Sequence, residues 1–159
     1  MTINRWADLG VDHNIIQSLS ERGINEPFPI QELTIPDALK LSDVCGKAKT
    51  GSGKTLAFGI PTIQNLAQSD IRTIPRGLIL VPTRELATQV KEELDPLCIS
   101  KSLTVAAIYG GANIDEQIKN IKDGVDIVVA TPGRMIDLLE REEIGLQSLE
   151  VVVLDEADR

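Results

Sequence analysis

The octapeptide A-K-T-G-S-G-K-T at residues 48–55 constrains the fold of this chain more than any other feature of its sequence. Gly51 and Gly53 allow the backbone to fold around phosphate oxygens, so that its N–H groups and the start of a following helix face the anion. Lys54 adds a positive charge at the β- and γ-phosphates, and the Thr55 hydroxyl can ligate Mg²⁺. The spacing therefore predicts a phosphate-binding loop between a strand and a helix.

The strict form of this pattern begins with glycine, whereas the present chain has Ala48 at that position. The close approach to phosphate depends mainly on the two later glycines, so the interpretation is kept. The alternative is a glycine-rich loop that caps a helix by chance, which the spacing, the strand and the helix together disfavour. We expect the following residues of the loop to contact the nucleotide: Ala48, Thr50, Gly51, Ser52, Gly53, Lys54 and Thr55.

Short apolar runs alternate with helical patterns along the rest of the chain, which predicts βαβ units and an α/β fold with a parallel sheet. The expected strands are 43–45, 77–81, 104–109, 126–130 and 151–154. The expected helices are 12–22, 54–67, 84–97, 114–122 and 133–141, with two short helices that begin near Pro29 and at Pro36. Strands such as Val151–Leu154 are apolar on both faces, so we expect helices on both sides of the sheet. Ligands of such folds bind beyond the carboxyl ends of the strands.

Composition excludes several classes of protein. The 159 residues carry no repeat or Pro/Gly/Ser linker, which predicts one globular domain, and no apolar run is long enough to span a membrane. The N-terminus lacks an apolar signal core, and Cys45 and Cys98 fit no metal-ligand spacing, so we expect reduced thiols and a cytoplasmic location. A net charge of −8 argues against a broad basic surface, although contact with a nucleic-acid backbone needs only a few local donors.

A second motif joins an apolar strand to acidic residues. Val151–Leu154 run directly into Asp155, Glu156, Ala157 and Asp158. An acid at this position, opposite a phosphate loop, is where P-loop enzymes anchor Mg²⁺, so Asp155 is a candidate metal ligand together with Thr55. Glu156 could orient or deprotonate an attacking water, which makes Lys54, Asp155 and Glu156 the candidate catalytic residues. The alternative is an acidic turn that caps a following helix.

Together these motifs resemble the DEAD-box family of ATP-dependent RNA helicases, whose name spells residues 155–158. Residues 27–31 are similar to the family's adenine-reading Q motif, with Trp6 as its isolated upstream aromatic. By that similarity Gln31 would hydrogen-bond the adenine edge. The chain departs from the motif at Phe28, where the family has threonine, and at Ile24, where it has an aromatic residue. The resemblance therefore implies an adenine site of weakened selectivity.

Three further segments are similar to the family's RNA-contact motifs: P-T-R-E-L at residues 82–86, the glycine pair at residues 110–111, and T-P-G-R at residues 131–134. Arginine and threonine side chains can bind phosphate oxygens, and glycines permit close backbone approach, so we expect recognition with little sequence preference. The alternative is structural: both threonines could be helix N-caps and the proline a first-turn residue. The expected RNA-contact residues are Pro82, Thr83, Arg84, Gly110, Gly111, Thr131, Pro132, Gly133 and Arg134.

The resemblance implies that residues 1–159 form part of a first RecA-like ATP-binding domain, with residues 1–35 as the Q-motif region. It also implies ATP and Mg²⁺ as cofactors and RNA as the partner. The family's Ser-Ala-Thr strand and its second domain, which supplies phosphoryl-binding arginines, are absent from the sequence. We therefore expect an incomplete, marginally stable sheet and little ATP hydrolysis or unwinding by this segment alone. A non-enzymatic nucleotide- or RNA-binding module and a P-loop ATPase that acts on DNA or protein remain open as alternatives.

Overall fold

The structure, a computed structural model, describes residues 4–67 and 75–158. In these residues the helices are α1 (Arg5–Asp8), α2 (His13–Glu21), α3 (Pro29–Leu39), α4 (Lys54–Leu66), α5 (Arg84–Ser100), α6 (Ile114–Lys122) and α7 (Pro132–Glu140). The strands are β1 (Gly77–Leu80), β2 (Val105–Ile108), β3 (Ile127–Ala130) and β4 (Val151–Leu154). None of the helices in the described residues is both long enough and apolar enough to cross a bilayer.

The strands form one sheet in the order β2-β3-β1-β4, and every pairing is parallel. Leu80 at the end of β1 pairs with Ala130 of β3 and with Leu154 of β4, and Ile108 of β2 also pairs with Ala130. The carboxyl ends of the strands are therefore level with one another. The predicted α/β class with a parallel sheet is confirmed.

Alternate residues of the strands face two separate cores, because successive side chains of a strand point to opposite sides of the sheet. Ile79, Ile127 and Val129 face the larger core, which also contains Ile15 of α2 and Ile60 of α4. The opposite face has a smaller core. It includes Leu78, Val128 and Ala130 from the sheet, with Met135 and Leu138 from α7. Helices thus lie against both faces, as the apolar strands predict.

The region around Pro36 differs from the prediction. A second helix was expected to begin at this proline, but α3 continues through it from Pro29 to Leu39. Proline lacks the N–H that would bond the carbonyl four residues earlier, which usually ends a helix. Here the neighbouring Ile35 is fully buried and α3 packs along α4, so tertiary packing offsets the lost hydrogen bond.

The predicted strand at residues 43–45 is wrong. Residues 42–49 belong to no helix or strand, and Val44 and Cys45 are exposed. A strand of three residues satisfies its backbone groups only by pairing with a neighbour, and both edges of β1 are already occupied by β3 and β4. Within the described ranges no strand pairs with the other edge of β4, so the phosphate-loop segment is not joined to the sheet.

β4 also departs from the expectation that helices cover both sides of every strand. Its residues alternate in burial, and Val152 and Leu154 are 55% and 62% exposed. They share a sheet face with Leu78 and Leu80 of β1, their register partners. In residues 4–67 and 75–158 no helix covers this part of the face, so β4 is protected on one side only.

Charged residues immediately before the strands form a network at the amino end of the sheet. Arg76 precedes β1 and is only 1% exposed, and its Nη2 lies 3.1 Å from Oδ1 of Asp126, which precedes β3. Arg76 Nη1 donates to the Leu66 carbonyl at 2.7 Å and to Glu150, before β4, at 3.3 Å. Asp126 Oδ2 accepts from the backbone N–H of Thr104, before β2, at 2.9 Å. The amino ends of the strands are thereby tied to one buried ion pair.

Candidate functional site

The carboxyl edge of the sheet gathers the motifs that follow the strands. Hydrogen bonds continue the ladders past the strand ends: Val81 N donates to Ala130 O, Thr131 N to Ile108 O, and Asp155 N to Leu80 O, each at 3.0 Å. These bonds fix the start of the P-T-R-E-L, T-P-G-R and acidic motifs relative to one another. The predicted common edge is therefore present in the structure.

The phosphate loop has the left-handed backbone that its glycines permit. Gly51 and Gly53 have φ of +79° and +86°, and Gly53 is the N-cap of α4, whose first residue is Lys54. Ser52 folds back on Lys49, whose carbonyl accepts hydrogen bonds from the Ser52 N–H at 3.2 Å and from its hydroxyl. The loop therefore turns into the N-terminus of α4, which is where helix N–H groups can receive an anion.

Gln31 joins the start of α3 to the phosphate loop. Its Oε1 accepts from the Phe28 N–H at 2.7 Å, and its Nε2 donates to the Gly53 carbonyl at 2.9 Å. A Cβ atom at Gly53 would come within 2.6 Å of the Phe28 ring and still closer to the Gln31 amide, so only glycine fits. Gln31 is 2% exposed and both of its polar atoms are bonded within the protein. Its contact with adenine stays a prediction.

An open groove of about 340 Å³ runs beside the phosphate loop. Its lining residues are Phe28, Pro29, Ile30, Leu33, Lys47, Ala48, Gly51 and Ser52. Phe28 is half-exposed there, whereas Trp6 is only 1% exposed and packs within the larger core, against which Ile24 is also packed. Contact of Trp6 and Ile24 with nucleotide stays a prediction, and burial of the Trp6 ring favours a packing role.

Thr55, the predicted metal ligand of the loop, has a partner on another helix. Its side chain interacts with the carboxylate of the half-buried Glu93 on α5, and this interaction favours the charged form of that carboxylate. Burial raises the pKa of Glu93 above its ordinary value, and the Arg22 charge and the Thr55 hydrogen bond partly oppose that rise. Arg22 also donates to the Glu93 backbone carbonyl at 3.0 Å. Thr55 of the phosphate loop therefore lies beside α5.

The acidic motif lies within electrostatic reach of the phosphate loop. Burial raises the pKa of Asp155, as does the neighbouring Glu156 carboxylate, while the Glu156 backbone N–H and the Lys54 ammonium lower it. The influence of Lys54 on this pKa indicates that the phosphate loop lies near the end of β4. Glu156 has a φ of +53°, a left-handed conformation that residues other than glycine rarely adopt. Such backbone strain is typical of functional sites.

The P-T-R-E-L motif opens α5 at the same edge. Thr83 is the N-cap and its hydroxyl accepts from the Leu86 N–H at 3.2 Å, while Arg84 is exposed and donates to Glu85 at 3.1 Å. Arg84 Nη1 lies 3.2 Å from the position that a Cβ atom of Gly111 would occupy. A groove of about 490 Å³ lies here, lined by Arg84, Glu85, Thr88, Tyr109, Gly111 and Ala112. Two predicted RNA-contact motifs therefore meet in one concave surface.

The T-P-G-R motif reaches the same loop from the other side. Pro132 and Gly133 are exposed in the first turn of α7, and Thr131 is its N-cap, without a capping hydrogen bond from its side chain. Arg134 donates to the Ala112 carbonyl at 3.3 Å and to Gln117 Oε1 at 3.0 Å. The guanidinium is thus partly engaged inside the protein, which prediction from the motif alone does not anticipate.

Sequence reasoning missed Glu93 and Gln117, both of which contact predicted site residues. Each lies on a helix outside the motifs, 9 residues after Arg84 and 17 residues before Arg134 respectively. An isolated glutamate or glutamine in an amphipathic helix is usually solvated, so neither residue signals its role locally. In the described parts of the chain no group of three acidic, cysteine or histidine side chains could by itself hold a metal ion.

Comparison with known proteins gives consistent matches. A family model described as DEAD/DEAH box helicase matches residues 28–159. The chain is 45% identical over 154 residues to the DEAD-box ATP-dependent RNA helicase CshA of Streptococcus pneumoniae, covering 97% of this chain and 29% of that protein. It is 40% identical over 164 residues to the ATP-dependent RNA helicase RhlB of Vibrio parahaemolyticus, covering 100% of this chain and 38% of that protein.

Solved structures with the same fold include the RNA helicase Prp28 of Chaetomium thermophilum bound to ADP, with a TM-score of 0.89 and 37% identity. That match covers 98% of this chain and 39% of the other. The yeast DEAD-box splicing factor Prp28 matches with a TM-score of 0.84 and 39% identity, over 91% of this chain and 35% of the other. The chain thus spans between 29% and 39% of the length of these relatives.

Proposed function

The chain belongs to the DEAD/DEAH box helicase family, and we propose that the protein it is part of uses ATP hydrolysis to separate RNA strands. One observation carries this proposal. The level carboxyl ends of β1, β2, β3 and β4 bring the motifs predicted to contact RNA and the acidic motif to one edge, and Lys54 of the phosphate loop lowers the pKa of Asp155 at that edge. A nucleotide and an RNA backbone can therefore be bound side by side.

The phosphate loop fits the triphosphate of ATP. The left-handed Gly51 and Gly53 open the N-terminus of α4, and the Lys54 ammonium stands at its first residue. The groove beside Phe28 is of a size to receive the rest of the nucleotide, since ligand pockets begin at about 300 Å³. Named relatives are ATP-dependent, and one solved neighbour holds ADP.

Mg²⁺ fits the donor set of this edge. Thr55 offers a hydroxyl and Asp155 a carboxylate, and Mg²⁺ in nucleotide sites takes one or two protein oxygens with phosphate oxygens and water. When bound, the ion would neutralise the charge of the phosphates. Glu93 would keep the Thr55 hydroxyl oriented, and the Glu156 carboxylate would orient or deprotonate the attacking water.

RNA is proposed to lie across the groove between Arg84, Gly111 and the start of α7. The guanidinium of Arg84 can bind phosphate oxygens, while the exposed Gly110, Gly133 and Pro132 allow a backbone to approach closely. These groups read the sugar-phosphate backbone rather than the bases, so sequence preference should be slight.

A cytoplasmic location is proposed on the strength of the free thiols Cys45 and Cys98.

The test is ATP hydrolysis by the full-length protein with and without RNA. We expect RNA to stimulate hydrolysis and DNA of the same sequence to compete poorly, because 2′-hydroxyl groups distinguish the two. An Arg84→Ala variant should require more RNA for half-maximal stimulation, and a Lys40→Ala variant, at an exposed position of the α3 C-terminus, should not. A rate of ATP hydrolysis that does not change when RNA is added would overturn the RNA assignment. Stimulation by DNA alone would favour a DNA-dependent ATPase.

A further inference from the structure

A buried glutamine on α6 holds the loop that carries the glycine pair. Gln117 is 7% exposed, and its Nε2 donates to the carbonyl of Tyr109 at 3.0 Å. Its Oε1 accepts from Arg134 Nη1 at 3.0 Å. The Tyr109 carbonyl can only accept and the guanidinium can only donate, so these two partners fix which end of the amide faces which.

Arg134 completes the enclosure of this loop. Besides Gln117, its Nη1 and Nη2 donate to the Ala112 carbonyl at 3.3 and 3.4 Å. The loop Tyr109–Gly110–Gly111–Ala112 is therefore bound at its first residue by Gln117 and at its last residue by Arg134. The two glycines between them remain exposed, with Gly111 at a φ of +85° and against Arg84.

A loop with two adjacent glycines needs such support. Glycine loses more conformational freedom on ordering than any other residue, so an unsupported pair would present its N–H groups in many directions. Binding to RNA would then include the cost of ordering the loop. The bonds from Gln117 and Arg134 order it beforehand, and the same amide sets the direction of the Arg134 guanidinium.

We propose that Gln117 is a positioning residue for RNA recognition, which fixes the glycine-pair loop and Arg134 in the arrangement that receives the RNA backbone. This inference rests on the proposed function. Gln117 is buried, so it affects RNA binding indirectly, through the glycine-pair loop and Arg134. Its removal should therefore weaken RNA binding and leave the nucleotide site, at the other end of the edge, unchanged.

The test compares variants of the full-length protein by RNA-stimulated ATP hydrolysis and thermal unfolding. Gln117→Met keeps the length and burial of the side chain but removes both hydrogen bonds, while Gln117→Glu keeps an acceptor for Arg134 and loses the donor to Tyr109. Gln64→Met is the matched control. Gln64 is also 7% exposed, and its amide bonds two backbone groups, Asp12 N at 2.8 Å and Gly10 O at 2.9 Å, far from this loop.

We expect Gln117→Met to raise the RNA concentration for half-maximal stimulation roughly tenfold, as loss of a hydrogen bond to a charged group would. The KM for ATP should change less than about twofold, since no ATP contact is removed. Gln117→Glu should recover part of the RNA affinity. Gln64→Met should lower the unfolding temperature to a similar extent without changing the RNA requirement.

The inference alone would be overturned by an unchanged RNA requirement in Gln117→Met, or by an equal increase in Gln64→Met, which would reduce the effect to stability. A parallel rise in the KM for ATP would also overturn it, because the glutamine would then serve the whole domain. Absence of RNA stimulation in the unaltered protein would instead overturn the proposed function, and the inference with it.

Discussion

The two ends of the sheet use charged residues in opposite ways. At the amino end, Arg76 and Asp126 are buried and directly paired, and nearly all of their polar atoms bond other protein groups. At the carboxyl end, Arg84 is exposed and Lys54 is only partly covered, while Asp155 is raised in pKa by burial and by Glu156. The amino end satisfies its charges internally, and the carboxyl end leaves several of its charges partly or fully exposed.

This difference teaches which end carries stability and which carries function. A buried ion pair that loses one partner leaves an uncompensated charge in the interior, which is costly. Charges at a groove are solvated in the empty site, and they gain their full interaction only when a ligand of opposite charge arrives. Substitutions at the amino end should therefore affect unfolding, and those at the carboxyl end should affect binding and catalysis.

The largest effect is expected at the amino end, from Asp126→Leu. Among the described residues, this change leaves the buried Arg76 with the half-exposed Glu150 as its one charged partner, and it also removes the acceptor for the Thr104 N–H. We expect the free energy of unfolding to fall by about 3 to 5 kcal/mol, the usual cost of a broken buried pair. Urea denaturation measures the change.

The matched variant for this prediction is Arg76→Met combined with Asp126→Leu. Replacing both charges by apolar groups removes the uncompensated charge, so the double variant should regain more than half of the lost stability. A double variant as unstable as the single one would show that backbone contacts of Asp126, rather than the charge pair, hold this end together. Folded molecules of either variant should hydrolyse ATP normally, if the two ends are separate.

The next largest effect is expected at the carboxyl end, from Lys54→Ala in the full-length protein. Removing the cation that faces the phosphates should lower the rate of ATP hydrolysis by roughly a hundredfold to a thousandfold. The free energy of unfolding should change by less than about 0.5 kcal/mol, because the lysine is only partly covered and forms no ion pair among the described residues. Lys40→Ala controls for loss of an exposed lysine. A Lys54→Ala protein that retains full activity would remove the nucleotide site from this edge.

The sequence predicts those features of the two ends that continuous segments of the chain form, and it predicts less well the features that depend on contacts between distant residues. The helix after the phosphate loop, β4 with its acidic end, and the helices that follow Thr83 and Thr131 are continuous segments, and their bounds lie close to the predicted ones. Their residue types at fixed spacing contain the information. The strand bounds were also close, because apolar runs between turn residues define them.

Features that depend on distant contacts were wrong or missed. Residues 43–45 have the composition of a strand but no neighbour to pair with, and Pro36 should end a helix that packing against α4 maintains. Gln117 acquires its role from Tyr109 and Arg134, 8 and 17 residues away along the chain. A single sequence carries no signal for such meetings, because the side chain type is compatible with an ordinary solvated helix.

The smallest effects are expected from substitution of Thr83 and Thr131. Both threonines precede a helix at the carboxyl edge, and the sequence predicts either as a possible N-cap. The Thr83 hydroxyl caps α5 through Leu86, whereas the Thr131 side chain makes no capping bond to α7. Thr83→Ala should therefore lower the free energy of unfolding by about 1 kcal/mol, and Thr131→Ala by only a few tenths.

Although Thr131→Ala should cost little stability, it should weaken RNA binding. The Thr131 hydroxyl does not cap its helix and can therefore bind a ligand. We expect Thr131→Ala to raise the RNA concentration for half-maximal ATPase stimulation by roughly threefold to fivefold, the value of one ordinary hydrogen bond. Thr131→Ser keeps the hydroxyl and should retain the affinity of the unaltered protein. If Thr131→Ala instead costs as much stability as Thr83→Ala and leaves RNA stimulation unchanged, Thr131 is a structural cap. The division between a stabilising end and a binding end of the sheet would then fail at this residue.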